Sequence, residues 1–212
     1  MGTDRLESLA PLSGIVMVGV LVTGHVLSGG FGGYQATAEK AIESVSQDPT
    51  RVYVGTLLAG FYAVILLIWF AGSLFSALRA REGGAGHLST IAFGGGVISA
   101  VALALGYGVF RQAVARAGIP GGLGLDAATV MHALYSVLLA GVLSVGLAAF
   151  IGATGIVSLR TQLFPTWLGW TSVAMAIGLM TPLHFIFEGL AIIWIAIVSI
   201  LLYQRGKIVS TS

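Results

Sequence analysis

An all-α, polytopic membrane bundle is the fold class this sequence predicts, and three observations predict it. Of 212 residues, 57% are hydrophobic and only 8% are charged, against about 25% charge in a soluble domain. The mean hydropathy is +0.98. The charges stand between long uncharged runs, at 52–78, 88–110 and 127–159, each long enough for a hydrocarbon core of ~30 Å. One integral membrane domain over 1–212 accounts for the whole chain.

The remaining composition narrows the partners. The net charge of +2 is small and dispersed, which speaks for the lipid bilayer and against nucleic acid. Without cysteine there are no disulfides, thiolate metal sites or cysteine nucleophiles. The 31 glycines fit helices that approach closely in a membrane.

The elements follow in order. The N-terminus lacks a basic leader and runs into a full-length apolar stretch, so an uncleaved first span is expected at about 12–31. Met1-Gly2 carries no acylation signal, because Leu6 and Glu7 supply no hydroxyl where one is required. At 34–47 the apolar residues Tyr34, Ala38, Ala41, Ile42 and Val45 share one helical face. Glu39, Lys40 and Glu43 lie opposite, and Asp48-Pro49 ends the stretch. A short amphipathic helix on the membrane surface or capping the bundle is expected. The second span takes about 53–78, between Arg51 and Arg79, and the third takes 88–110, ending at Arg111. A glycine-rich link follows, with Asp126 placed to cap the fourth span at about 128–159. That run exceeds the ~20 residues a bilayer needs, which predicts projection or tilt.

The last hairpin, 165–180 and 182–204, is set by a length argument. From Glu188 to Arg205 a helix would cover only about 24 Å, short of ~30 Å. The last span must therefore start before Glu188, and Thr181-Pro182 supplies the start signal. His184 then falls in the first turn with Glu188 at i+4 on the same face. Pro165 opens the preceding span, with Trp167 and Trp170 in the interfacial aromatic belt.

Six spans place both termini on one side with Arg5, Arg79, Arg81, Arg160, Arg205 and Lys207. Lys40, Arg51, Arg111 and Arg116 lie opposite. The positive-inside rule then predicts cytoplasmic termini in a plasma (inner) membrane.

That topology gathers a candidate polar site in the outer leaflet: His25, Arg111, His132, His184 and Glu188. Ionisable groups inside a membrane normally face protein or a wet cavity. His25, His132 and His184, with Met131 and Met180 near in sequence, could ligate copper or zinc, and two facing imidazoles could hold a haem. Glu188 with His184 could relay protons. The competing reading places His132 and His184 at headgroup depth, where a half-polar ring is comfortable. It satisfies His25 by a neighbouring carbonyl or hydroxyl and makes Glu188 a structural partner of Arg111 or His184. Gly94-Gly95-Gly96 is expected to allow close helix contact. No nucleophile elbow, triad or phosphate loop is present, and no catalytic residue is assigned.

The segment Arg160-Thr-Gln-Leu-Phe-Pro-Thr-Trp-Leu-Gly-Trp170 resembles the Leu-Pro-Arg-Trp-Leu-Gly-Trp signature of uncharacterised bacterial six-pass membrane proteins, a domain of unknown function. Residues 66–78, 83–90 and 193–202 also resemble that group. Thr166 stands where the signature has a basic residue. The resemblance implies a helical bundle and no particular activity. Three roles remain open on the residues: a non-enzymatic accessory or scaffold subunit among other membrane subunits, a metal- or haem-binding redox protein, and a small proton-coupled transporter.

Overall fold

The structure is a computed structural model that describes residues 9–29, 37–46, 48–117, 119 and 121–210. Expectations resting on Met1-Gly2, Arg5, Leu6, Glu7, Phe31, Tyr34, Gln47, Gly118 and Pro120, or on the Lys207 side chain, lie outside the described residues. The chain forms α1 (Ala10–Ser28, opening with a 3-10 turn), α2 (Ala38–Ser46), α3 (Pro49–Glu82), α4 (His87–Ala117), α5 (Leu125–Thr161), α6 (Thr166–Leu179) and α7 (His184–Ser210). Five of these, α1, α3, α4, α5 and α7, are long and apolar enough to cross a membrane. The other expected span, α6, has 14 residues and reaches only about 21 Å.

Local chemistry sets the helix ends and corrects several expected boundaries. α1 stops at Ser28 because Gly29 takes a left-handed φ of 67° and donates its N–H to the His25 carbonyl at 3.0 Å. Asp48-Pro49 starts α3: the Asp48 carboxylate accepts from the Arg51 N–H at 3.1 Å, with Pro49 in the first turn. Asp126 is not the cap of α5. Gly124 holds that position in an extended conformation, and Asp126 lies within the first turn, where its charge still suits the helix dipole. α7 begins at His184, whose N–H reaches the Thr181 carbonyl at 3.1 Å. Glu82 reaches past the turn after α3 and accepts from the Leu88 and Ser89 N–H groups at 2.9 and 2.8 Å. One carboxylate thus satisfies two donors at the start of α4.

α4 packs along α3 on one side and α5 on the other, α6 lies along α5, and α7 closes the ring against α6 and α1. α2 buries Ala41 and Val45 against α4 and the start of α5, so its apolar face is taken up by the bundle. One end of the bundle carries Arg205 over the Phe164 ring at 6.0 Å, and there the Ser199 hydroxyl meets the Pro11 carbonyl. At the other end, Arg51 Nη2 donates to the Val26 carbonyl at 3.4 Å.

Lipid is as apolar as leucine, so burial of side chains cannot by itself drive helices together in a bilayer. Close backbone contact at small residues supplies attraction instead. A Cβ on Gly95 would lie 2.6 Å from the Gly146 carbonyl oxygen, and one on Gly146 would lie 2.9 Å from the Gly95 carbonyl oxygen. Gly24 and Gly55 make the same reciprocal approach between α1 and α3. Of the glycine triplet, Gly95 and Gly96 face neighbouring helices, while Gly94 faces open space. An edge-to-face aromatic run ties three helices, α3, α5 and α7: Phe70 to Phe150 at 6.1 Å and Phe150 to Trp194 at 5.8 Å. The Trp194 indole N–H then donates to Ser172 Oγ at 2.8 Å.

Two π-turns interrupt the spans, Leu58–Tyr62 in α3 and Val137–Val142 in α5. They grip α4 at neighbouring residues. Gly60 leaves room for the Tyr107 side chain, and Leu139 packs against Gly106. The seam at Gly146 yields the first prediction. Gly146→Val puts branched carbons against the Gly95 carbonyl and should destabilise by roughly 1–3 kcal/mol or more. Gly94→Val, on the open side of α4, should leave the thermal midpoint of purified protein within about a degree or two. Equal melts for the two variants would contradict the seam.

Candidate functional site

α7 packs firmly on α6 and α1 but touches α5 and α3 only lightly. That slack leaves a cavity of about 300 Å³. α1 contributes Met17, Leu21 and His25 to it, α4 contributes Leu103 and Tyr107, and α7 contributes Glu188 and Ile195. Val22, Val26 and Phe185 also border the cavity and are exposed at 43%, 62% and 53%. Its opening is therefore lateral, through an apolar gap that would face lipid.

The polar groups sit towards the end of the bundle where Arg51 lies. His25 Nδ1 is 2.9 Å from the Tyr107 hydroxyl. Either atom can be the donor, and the tautomer follows from which one is. Tyr107 is nearly fully buried, stacked edge-on against Tyr135 at 6.3 Å, and Phe110, a turn further along α4, also meets Tyr135 at 5.6 Å. The phenol that meets His25 is thus held by packing from α3, α4 and α5. Across the cavity, Ser144 Oγ donates to Glu188 Oε1 at 2.6 Å, a short distance for an O–H···O contact. The same hydroxyl lies 2.9 Å from the Ala140 carbonyl, its i−4 neighbour within the π-turn. Towards the other end the lining is wholly apolar and reaches Leu67 and Leu147, one turn from Phe70 and Phe150.

The structure brings together two of the five candidate residues, His25 and Glu188, on one cavity. Arg111 is held elsewhere, its guanidinium 4.5 Å above the Phe61 ring. His132 is buried on α5, and His184 is half-buried with its ring edge-on to Phe185. Neither lines the cavity. Among the described residues no three His, Asp or Glu are placed to hold a metal ion. The expected three-histidine centre is therefore not formed among the described residues, and of His25, His132 and His184 only His25 lines this cavity.

Sequence reading missed Tyr107 and Ser144. Both sit in uncharged spans, where a tyrosine or serine every few turns is ordinary. A signal existed for Ser144 only in hindsight of register, since a buried acid on α7 needs a donor on a facing helix.

The His25–Tyr107 contact can be tested directly. Tyr107→Phe keeps the ring stack and removes the hydroxyl. It should cost about 1 kcal/mol and shift the His25 Nδ1 resonance in side-chain nitrogen NMR. An unmoved resonance would show that the two groups do not meet.

No family model, curated protein or solved structure matches the chain.

Proposed function

We propose that the chain is a non-enzymatic accessory protein of a membrane, and that it works by binding an apolar molecule in the cavity between α1 and α7. The observation that carries this reading is the cavity itself: apolar along most of its length, laterally open, with two polar pairs at one end. Small-molecule sites typically have this make-up, a largely apolar wall and a few placed polar groups. Its volume lies at the lower end of such sites. Among the described residues no arrangement of nucleophile, base and oxyanion donors accompanies it, which favours binding over catalysis.

In this reading the likeness of 160–170 to the bacterial six-pass group stands as a proposed kinship. The membrane is taken as a plasma membrane, and the orientation with cytoplasmic termini is supported by the expected count of six basic residues on that side (Arg5, Arg79, Arg81, Arg160, Arg205, Lys207) against four on the other (Lys40, Arg51, Arg111, Arg116). A proton-coupled carrier is the second reading. It rests on Glu188, an acid in the cavity wall.

A photoactivatable apolar probe tests the first reading. With protein in phospholipid nanodiscs, labelling of the α1 and α7 cavity walls should saturate and be lost in Leu143→Trp, which fills the space. Labelling at lipid-facing Ile65 and Trp69 should rise linearly and be unchanged. Linear labelling on both faces would overturn the binding reading. Proton flux through reconstituted vesicles, abolished by Glu188→Gln, would establish the carrier reading in its place.

A further inference from the structure

We propose that a groove between α6 and α7 holds one acyl chain of an anionic phospholipid, with the lipid phosphate at Arg205. The groove is separate from the cavity between α1 and α7, and the proposal does not rest on the function assigned to that cavity.

The groove has two ends of different chemistry. α6 lines it from Trp167 to Met175 and α7 from Phe187 to Ile197, and no lining residue is charged. Along α7 it runs for about 15 Å, half of a hydrocarbon core of ~30 Å. The small side chains of Thr171 and Ala174 border it on α6, and the buried Leu168 and Trp194 form its floor. Phe187 closes one end by lying over Gly178, where an added Cβ would collide with the ring.

The other end is basic. Trp167 stands there, 55% exposed, close in the chain to Phe164, whose ring lies 6.0 Å from the Arg205 guanidinium. Phe164 is buried, and its N–H donates to Ser158 Oγ at 3.1 Å, so the ring under Arg205 is fixed. The groove-lining face of α7, with Leu190, Trp194 and Ile197, continues at helical spacing through Leu201 to Arg205. Arg160, exposed on the last turn of α5, adds a second guanidinium at this end. Among the described residues neither arginine has a carboxylate partner.

An anionic head completes that end. A guanidinium takes phosphate oxygens in a bidentate fork, and the Trp167 indole N–H is a donor at interfacial depth. A zwitterionic head brings its own ammonium beside two arginines, which offsets much of the gain. A second helix fits less well. The groove stops at Phe187 after about half the membrane, whereas a spanning partner needs an unbroken face. An acyl chain needs only one leaflet.

Brominated phospholipids test this, because bromine on an acyl chain quenches an indole that it touches. In the Trp69→Phe, Trp170→Phe protein the remaining tryptophans, Trp167 and Trp194, both line the groove. In phosphatidylcholine bilayers, brominated phosphatidylglycerol should bind about fivefold or more tightly than brominated phosphatidylcholine, read from the quenching of that pair. Salt at ~1 M should narrow the preference. Arg205→Gln should bring it below about twofold, and Arg205→Lys should keep most of it. Arg81→Gln, which removes the same charge from the same end on α3, should leave it unchanged. Ala174→Phe fills the groove and should reduce quenching by both lipids. The comparison of heads on the unaltered arginines needs no charge variant, so a misfolded one leaves the test intact. Equal binding of the two lipids would overturn the proposal, as would a preference that survives Arg205→Gln or falls equally with Arg81→Gln. Absence of quenching by either lipid in a protein that sediments as a dimer would also overturn it, by showing a second copy seated in the groove.

Discussion

A carboxylate placed within a bilayer must find donors inside the protein, and Glu188 finds one in Ser144 at 2.6 Å. Much of the molecule's particular shape answers to that requirement. The contact fixes the rotation of α7 about its axis. With Glu188 facing α5, Trp194 faces the core and meets Ser172, while Ile193 and Ile200 stay outside. It also fixes a distance. The acid on α7 and its hydroxyl partner on α5 are held 2.6 Å apart beside the cavity that Glu188 lines. A leucine pair in place of Glu188 and Ser144 could close the same ring by packing alone.

The rest of the bundle supplies rigidity around this one polar feature. Reciprocal glycine contacts lock α1 to α3 and α4 to α5. The aromatic run from Phe70 to Trp194 ties α3, α5 and α7 beyond the apolar end of the cavity. Tyr107, Tyr135 and Phe110 form a second aromatic group at the polar end. The π-turns in α3 and α5 bracket Tyr107 between them, and π-turns recur at functional sites because they re-aim side chains that a regular helix would misplace.

Much of the fold is legible in the residues themselves. Uncharged runs bounded by arginine give the long helices, since only a helix satisfies its backbone in hydrocarbon. The shortness of the stretch from Glu188 to Arg205 places that acid inside the last helix, which does contain it, although α7 begins at His184 and leaves Thr181-Pro182 in the preceding turn instead of at the expected helix start. What could not be read was register between helices. Nothing in the sequence says that Ser144 rather than Arg111 meets Glu188, because the π-turn at Val137–Val142 resets the face of α5. His132 and His184 look equivalent to His25 as letters in the sequence. Only packing separates the one histidine that lines the cavity. Boundaries failed where capping was misassigned: Gly29 ends α1 early, and Gly124 takes the place expected of Asp126.

The account turns on the Ser144–Glu188 contact, and a double-mutant cycle measures it most directly. Ser144→Ala, Glu188→Gln and the double variant would be compared with the parent protein by reversible unfolding in mixed micelles. A real contact predicts a coupling energy of about 1 kcal/mol, the scale found for hydrogen bonds between membrane helices. Additivity within about 0.3 kcal/mol would mean that the two side chains act independently, and α7 would then have to be rotated away from α5.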